Sequence, residues 1–437
     1  MIKRIANFCI DPEQEDLYRS FIKLDVNDFF DLLTQTDLPP TFRLITYMRA
    51  LNILQLDAPD QWSADIQNCF KYYNKMYDVE YLQHKNVPFQ DGDPLNTSQD
   101  CPFTARHKLL ALEKQIGLDI NRLFSSHKFF LQPSVRSDIH QITAVWSHVK
   151  NNNVYKQGIH EIFAFCYQIV FEAIQNNFVV HKNDQPLFHL TLINTTYIKQ
   201  ISFFLGSQIM KMIYSLYSND ELMTQRMNLI QNQLLLKLDQ PLNERINQMN
   251  LESVYLIRWL RLMFCREIPI DLVPRMWDFV VYHFQKDKND SFLDYLVISF
   301  YEQKRAEIIK NDYNMVMRMF SNSLLEDIDK KELEKLCIRA NDLLEGKEAH
   351  IEGQCKQAKQ INKLSHIQRY LAGQLKESVQ LMEQHQDEIA ITQVKEVISL
   401  LKSLNENNLE IFWDVLKNCQ IEEPDANCVA AVIESVK

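Results

Sequence analysis

The chain has 437 residues, 46% hydrophobic and 24% charged, with a formal net charge of −10 and an isoelectric point near 5.7. That length and apolar share support a sizeable core, divided at roughly 150 residues per unit into two or three units, and the acidic balance excludes a broad nucleic-acid footprint, which needs a basic surface to displace counterions from phosphate. The 9 cysteines are scattered and form no C-x-x-C pair, which supports neither a disulfide framework nor a zinc knuckle and fits a reducing compartment.

The opening stretch, MIKRIANFCIDPEQ, turns acidic before a signal-peptide core develops, and no uninterrupted apolar run reaches the ~18 residues needed to span a bilayer. Further along, apolar residues recur at three- and four-residue steps in FRLITYMRALNIL (42–54), DIHQITAVWSHV (138–149), IFAFCYQIVFEAI (162–174), YIKQISFFLGSQIMKMIYSLY (197–217) and YLIRWLRLMF (255–264), which predicts helices there. Alternating strand patterns with hairpin turns are missing, so the expected fold class is all-α. Polar stretches at 83–103, 181–186 and 284–291 read as loops, and no internal repeat indicates a solenoid. From about Asp327 the chain becomes charged and amide-rich, and its apolar positions thin to a stripe of Leu364, Ile367, Leu371, Leu375, Val379 and Met382. That pattern suits a helical hairpin, a coiled coil or a partner-facing helix, and equally a helix pair packed back on the body. The expected division is a helical lead-in over 1–34, a main domain over 35–325 and a helical C-terminal segment over 326–437.

Only 7 glycines occur, and Gly158 stands directly behind Gln157 at the mouth of the helix expected from 162. Its surroundings belong to a series of three short motifs. IGLDINRLF holds Ile116, Asp119 and Arg122 in the spacing I-x-x-D-x-x-R, and YKQG holds Tyr155, Gln157 and Gly158 in the spacing Y-x-Q-G. IRWLRLMFCREIPIDLVPRMWD (257–278) closes the series and holds Arg258, Trp259, Arg266 and Asp278. On a helix Asp119 and Arg122 share one face, while Ile116, Ile120 and Leu123 or Phe124 form the buried side. By spacing alone, Asp119 and Arg122 are an ordinary surface ion pair, and Gln157 and Gly158 are a loop ending in a helix start. Tyr155 and Trp259 read as core or hinge packing, and Arg258 and Arg266 serve either a buried carboxylate such as Asp278 or a partner surface. No Ser-His-Asp set, paired catalytic carboxylates or metal-ligand cluster stands out. The 12 histidines are dispersed, and His140, His148 and His160, which fall near the motifs, read as satisfied core or helix-surface residues.

Taken in order, and together with LPPTFRLITYMRALNIL (38–54), these motifs resemble the TBC domain of Rab GTPase-activating proteins over roughly residues 35–320. YKQGIHE, the DQW at 60–62, the long polar loop before the arginine motif and REIPIDLVPRMWD are similar to the retromer-associated, late-endosomal subgroup. The resemblance implies a multi-helix TBC domain with a helical C-terminal extension. It implies a GTPase activator, not a self-contained enzyme, whose partner is a Rab-family small GTPase in its GTP-bound form. Arg122 and Gln157 would be supplied in trans as the catalytic pair, with Ile116, Asp119, Tyr155, Gly158, Arg258, Trp259, Arg266 and Asp278 in support. No metal and no cofactor are implied, and neither nucleic acid nor a transmembrane segment is expected. The implied setting is cytoplasmic, peripheral on endosomal membranes or within a cytoskeletal assembly, with a coat or cytoskeletal adaptor engaging 326–437.

The chemistry is that of phosphoryl transfer. An arginine offsets charge developing on the phosphoryl oxygens, and a glutamine amide, which both donates and accepts, holds the attacking water. In that reading Gly158 keeps a side chain away from the nucleotide and permits backbone angles that other residues resist. Two departures stand out. Leu123 and Ser125 replace the threonine and proline that usually follow the family's arginine, and NTTYIKQ (194–200) replaces an acidic Asp-Ala-aromatic segment. The alternative function is a TBC fold kept as a non-catalytic scaffold in a coat, cytoskeletal or ciliary assembly. Retention of both Arg122 and Gln157 favours activity, since a scaffold has no physical need for either.

Overall fold

The structure is a computed structural model that describes residues 18–346, except 25, 56–57, 87–101, 152–153, 178–180, 183–184, 187, 250 and 252. The stripe from Leu364 to Met382 and much of the 1–34 lead-in lie outside the described residues.

Among the described residues the architecture is helical, with one exception in the stretch expected to be a loop. There a minimal antiparallel ladder pairs His181 with Pro186 and Lys182 with Gln185. The principal helices of the first half are α1 (Val26–Gln35), α2 (Pro40–Ala50), α3 (Trp62–Lys75), α4 (Pro102–Asn121), α5 (Pro133–Val149), α6 (Ile159–Gln175) and α7 (Ile198–Ile213). α2 and α5 each open on proline, whose fixed φ suits the first turn and whose missing N–H is not needed there. α6 is the hub. Its sequence is apolar on nearly every side, so it can be stable only when covered all round, and α2, α4, α5 and α7 pack about it. α7 comes close at Gly206, where an added Cβ would stand 2.4 Å from the Phe163 ring of α6.

The second half holds α8 (Asp220–Asn228), α9 (Gln240–Gln248), α10 (Tyr255–Arg261), α11 (Val273–Asp287), α12 (Phe292–Gln303), α13 (Tyr313–Ser321) and α14 (Lys330–Glu345). α14 starts in a capping box between Asp329 and Glu332 and ends at a left-handed Gly346. It turns Leu333, Leu336, Cys337, Ala340 and Leu343 inward and packs on α12 and α11, so helical packing on the body continues past residue 325.

α11 joins the halves. It packs on α1 and α2 as well as on α12 and α14. At its centre the fully buried Asp278 accepts from Arg43 Nε at 2.8 Å and Nη2 at 3.0 Å, and from the Tyr47 hydroxyl at 2.9 Å. Arg275, one turn earlier, donates to Glu334 of α14 at 2.7 Å and to the Leu33 and Thr36 carbonyls at 2.7 and 2.9 Å. Through Asp278 and Arg275, α11 is thus tied to α1, α2 and α14.

Two of the helix ends that differ from the sequence expectation do so at left-handed residues. α10 stops at Arg261 because Met263 and Phe264 adopt φ of 46° and 59°, although both remain buried. The apolar periodicity runs on past the break because a buried turn needs apolar side chains as much as a buried helix does. α11, in turn, extends into the expected loop at 284–291 and ends where Lys288 takes φ 54°.

Candidate functional site

The end of α4 and the turn that follows it set Ile116, Ile120 and Leu123 into the core and leave Arg122 on the outside. The turn beyond it is pinned by Phe124, which takes φ 34° and lays its ring 5.1 Å from Phe130 and 5.2 Å from Phe165 of α6. The Arg122 side chain is 59% exposed, whereas that of Asp119 is 8% exposed. Arg122 Nη2 donates to Asp119 Oδ1. The other carboxylate oxygen, Oδ2, accepts from the Tyr155 hydroxyl at 2.6 Å. Burial, reinforced by the Asp119 carboxylate, drives the Tyr155 phenol pKa well above the ordinary tyrosine range, so it stays a donor.

Tyr155 carries the site to the second motif. Gln157 is two residues on, its Cα therefore within about 7 Å of that of Tyr155. Its side chain is exposed, and among the described residues its amide has no hydrogen-bond partner. Gly158 follows with φ +105° and ψ −27°, and α6 begins at Ile159. A Cβ at Gly158 would stand 2.6 Å from Leu262 Cδ2 and 3.4 Å from the Tyr217 hydroxyl oxygen. The glycine is thus required by its left-handed backbone and by packing against the molecule's own interior, in addition to anything a nucleotide would require.

Beneath these residues α6 buries two polar side chains. His160 Nδ1 lies 2.7 Å from the Tyr155 hydroxyl, and burial lowers the imidazole pKa to about 4. Glu161 accepts from Arg266 Nε at 2.7 Å and Nη2 at 2.8 Å; burial pushes its carboxyl pKa up while Arg266 opposes that shift. Arg266 itself remains partly exposed.

The remaining candidates have partners elsewhere. Arg258 donates to Glu267 at 2.9 and 3.0 Å and to the Phe320 and Asn322 carbonyls at 2.8 and 2.9 Å, which fastens α10 to the end of α13. Trp259 is fully buried among Tyr255, Phe264, Tyr301 and Phe320. The carboxylates that Arg258 and Arg266 reach are therefore Glu267 and Glu161, while Asp278 belongs to Arg43, Arg275 and Tyr47. His140 and His148 contact the Glu113 carbonyl at 3.1 Å and His84 at 2.9 Å, both internal partners. Sequence reasoning read His160 as a satisfied core or helix-surface residue near the motifs and passed over Glu161. Their signal was present, as a His-Glu pair in the first turn of the most apolar helix among the described residues. The NTTYIKQ stretch is occupied by structure: Asn194 caps a short 3-10 turn, and Tyr197 stacks on Phe70 at 4.0 Å.

Among the described residues no group of three or more His, Cys, Asp or Glu side chains is arranged to hold a metal, and no helix is long and apolar enough to cross a membrane. A cleft of about 650 Å³ lies against α13 and the start of α14, and none of the candidate residues lines it.

A family model described as Rab-GTPase-TBC domain matches residues 99–309, which include both the I-x-x-D-x-x-R and the Y-x-Q-G stretches. The chain carries a TBC domain. TBC1 domain family member 5 of Mus musculus is 23% identical over 334 residues, covering 68% of this chain and 40% of that relative. The Homo sapiens counterpart is 24% identical over 314 residues, covering 62% and 38% respectively. The chain thus spans about 40% of the length of these curated relatives. GTPase-activating protein gyp1 of Schizosaccharomyces pombe is 21% identical over 270 residues, covering 59% of this chain and 51% of that protein. Among solved structures, the Ypt/Rab-GAP domain of Gyp1p aligns with a TM-score of 0.58 at 16% identity, covering 77% of this chain and 99% of that one, and so shares the fold of this TBC domain.

Proposed function

We propose that this TBC domain accelerates GTP hydrolysis by a Rab-family small GTPase in its GTP-bound form, supplying Arg122 and Gln157 in trans. One observation carries the reading. An exposed guanidinium and an exposed, unpartnered amide are joined through buried side chains, since Asp119 holds Arg122 with one oxygen and anchors the Gln157 segment through Tyr155 with the other. A surface ion pair used only for stability has no reason to bury its carboxylate and leave its arginine out, because exposed pairs contribute about 0–1 kcal/mol. An arginine offered to a GTPase has that reason, because the cation must reach the developing phosphoryl charge without a search through rotamers.

Arginine inserted in trans raises such rates by about 10³ to 10⁵, or roughly 4–7 kcal/mol off the barrier. The amide of Gln157 supplies the other need, one group that both accepts from and donates to an attacking water. The setting we propose is a peripheral one, on a membrane that carries the GTPase.

The test is single-turnover GTP hydrolysis across a panel of GTP-loaded Rab proteins, with the parent chain, Arg122→Ala, Gln157→Ala and the double variant. For a responding GTPase, each single variant should lose at least about 100-fold in rate with affinity changed much less, and the double variant should lose less than the product, since both groups act on one transition state. Variants as active as the parent would remove the assignment. A parent chain that binds a GTPase without accelerating it would favour the scaffold.

A further inference from the structure

His160 and Glu161 place two buried titratable groups in the first turn of a mostly apolar helix, and His160 touches the machinery described above. It is 1% exposed. Its Nδ1 lies 2.7 Å from the Tyr155 hydroxyl, which lies 2.6 Å from Asp119 Oδ2. Its Nε2 is buried without a hydrogen-bond partner, 3.9 Å from Glu161 Oε1, and that carboxylate is engaged by Arg266.

Counting protons decides how this chain of contacts runs. A phenol has one proton to donate, and an aspartate held by an arginine only accepts. If Tyr155 gave its proton to His160, its oxygen and Asp119 Oδ2 would face each other as two acceptors at hydrogen-bond distance, buried away from water. If instead His160 carries its proton on Nδ1, every short contact is satisfied. Nδ1–H donates to the Tyr155 oxygen, the Tyr155 O–H donates to Asp119 Oδ2, and Arg122 Nη2 donates to Asp119 Oδ1. The single group left without a partner is the acceptor lone pair of Nε2.

Resting on Arg122 as the residue presented to the GTPase, we propose that His160, as its neutral Nδ1–H tautomer, is a positioning residue for Arg122, acting through Tyr155 and Asp119. The groups facing it keep it neutral. Burial disfavours the imidazolium, and Arg266 from the turn after α10 and Arg122 from the end of α4 act in the same sense, against Asp119. The ring therefore stays neutral at neutral pH and keeps the Tyr155 hydroxyl pointed at Asp119, which restricts where the guanidinium can sit.

The inference is tested with His160→Asn, which keeps a planar side chain with an N–H donor, and His160→Leu, which fills the space without one. With a responding GTPase, His160→Leu should lower the maximal stimulated rate by about 10- to 100-fold, the scale of a small misplacement of a catalytic group, with half-saturation shifted less than about twofold. His160→Asn should recover most of the rate, and His160→Leu added to Arg122→Ala should cost little further. Full activity in His160→Leu, a loss confined to half-saturation, or His160→Asn as poor as His160→Leu would each overturn it. A second measurement does not depend on activity. Nitrogen-15 NMR of histidine-labelled parent chain, with His160 assigned by its loss in His160→Asn, should show a protonated Nδ1 and a bare Nε2 at neutral pH. The opposite tautomer, or an imidazolium, overturns the proposal whatever the hydrolysis assays show. If the expected tautomer is found and the parent chain stimulates no GTPase, the functional reading fails while the hydrogen-bond relay stands.

Discussion

Gly158 joins two requirements at one Cα, a φ of +105° that side chains other than glycine rarely adopt and a Cβ direction already filled by Leu262 at 2.6 Å. Either alone makes alanine unfavourable there. Strain of a residue in the left-handed region is about 1–3 kcal/mol, and the contact adds displacement of Leu262, which lies inside the core. Gly158→Ala should therefore lower the unfolding free energy by about 2 kcal/mol or more in urea titration, and an unchanged midpoint would show that the backbone relaxes freely at this position. The spacing of Asp119 and Arg122 was legible in the sequence because i and i+3 share a helix face whatever the fold. That the carboxylate is buried and shared with Tyr155 was not, because it depends on a hydrogen bond spanning 36 residues of sequence. Nor could spacing choose partners for Arg258 and Arg266. Both lie near Asp278 in the chain, yet each is claimed by a glutamate that the turn after α10 and the start of α6 bring within reach.

Among elements, α11 shows how polar contacts can specify packing. Asp278 receives hydrogen bonds from Arg43 and Tyr47 of α2, with Arg275 alongside it on α11 and itself tied to α14. Removing the acid leaves two guanidinium groups facing each other with little solvent, and breaking buried pairs in this way costs about 3–5 kcal/mol. Asp278→Ala should lose stability on that scale, read as a drop in the urea midpoint, and a loss below about 1 kcal/mol would mean that water or Asp37 takes over the role. The long helices α5, α6 and α7 were legible because their apolar spacing is strong and their lengths exceed what strands need. α14 was harder to place, since its charge content matches that of the segment beyond it. A sharper local cue lay in Asp329 and Glu332, the two ends of a capping box. The end of α10 could not be found from pattern, because two buried left-handed residues continue the hydrophobic run.

At the scale of the whole molecule, buried histidines give the fold a sensitivity to acid. His189 is buried 2.9 Å from the Tyr18 hydroxyl, and burial lowers its pKa to about 4, with Asp60 opposing. A folded-state pKa below the unfolded value of about 6.5 means stability that is present above pH 6.5 and lost as pH falls toward 4, because the unfolded chain takes up the proton first. Integrated from pH 7 to pH 5 this is about 2 kcal/mol. His189→Gln, which keeps a polar atom near Tyr18 but cannot titrate, should show a pH dependence of unfolding free energy shallower than the parent's by about that amount over the same interval. Equal slopes would place the acid sensitivity elsewhere. The covered hub α6 starts two residues after Gln157, with only Gly158 between. Amide hydrogens within α6 can meet deuterium only when the whole domain opens, whereas Val154 and Gln157 are exposed residues outside any helix, on either side of the buried Tyr155. The exchange clock should change by orders of magnitude across Gly158. A bound GTPase would slow the fast side of that boundary and leave the slow side where global unfolding already sets it, so a few peptides around residue 158 can report docking without any measurement of hydrolysis.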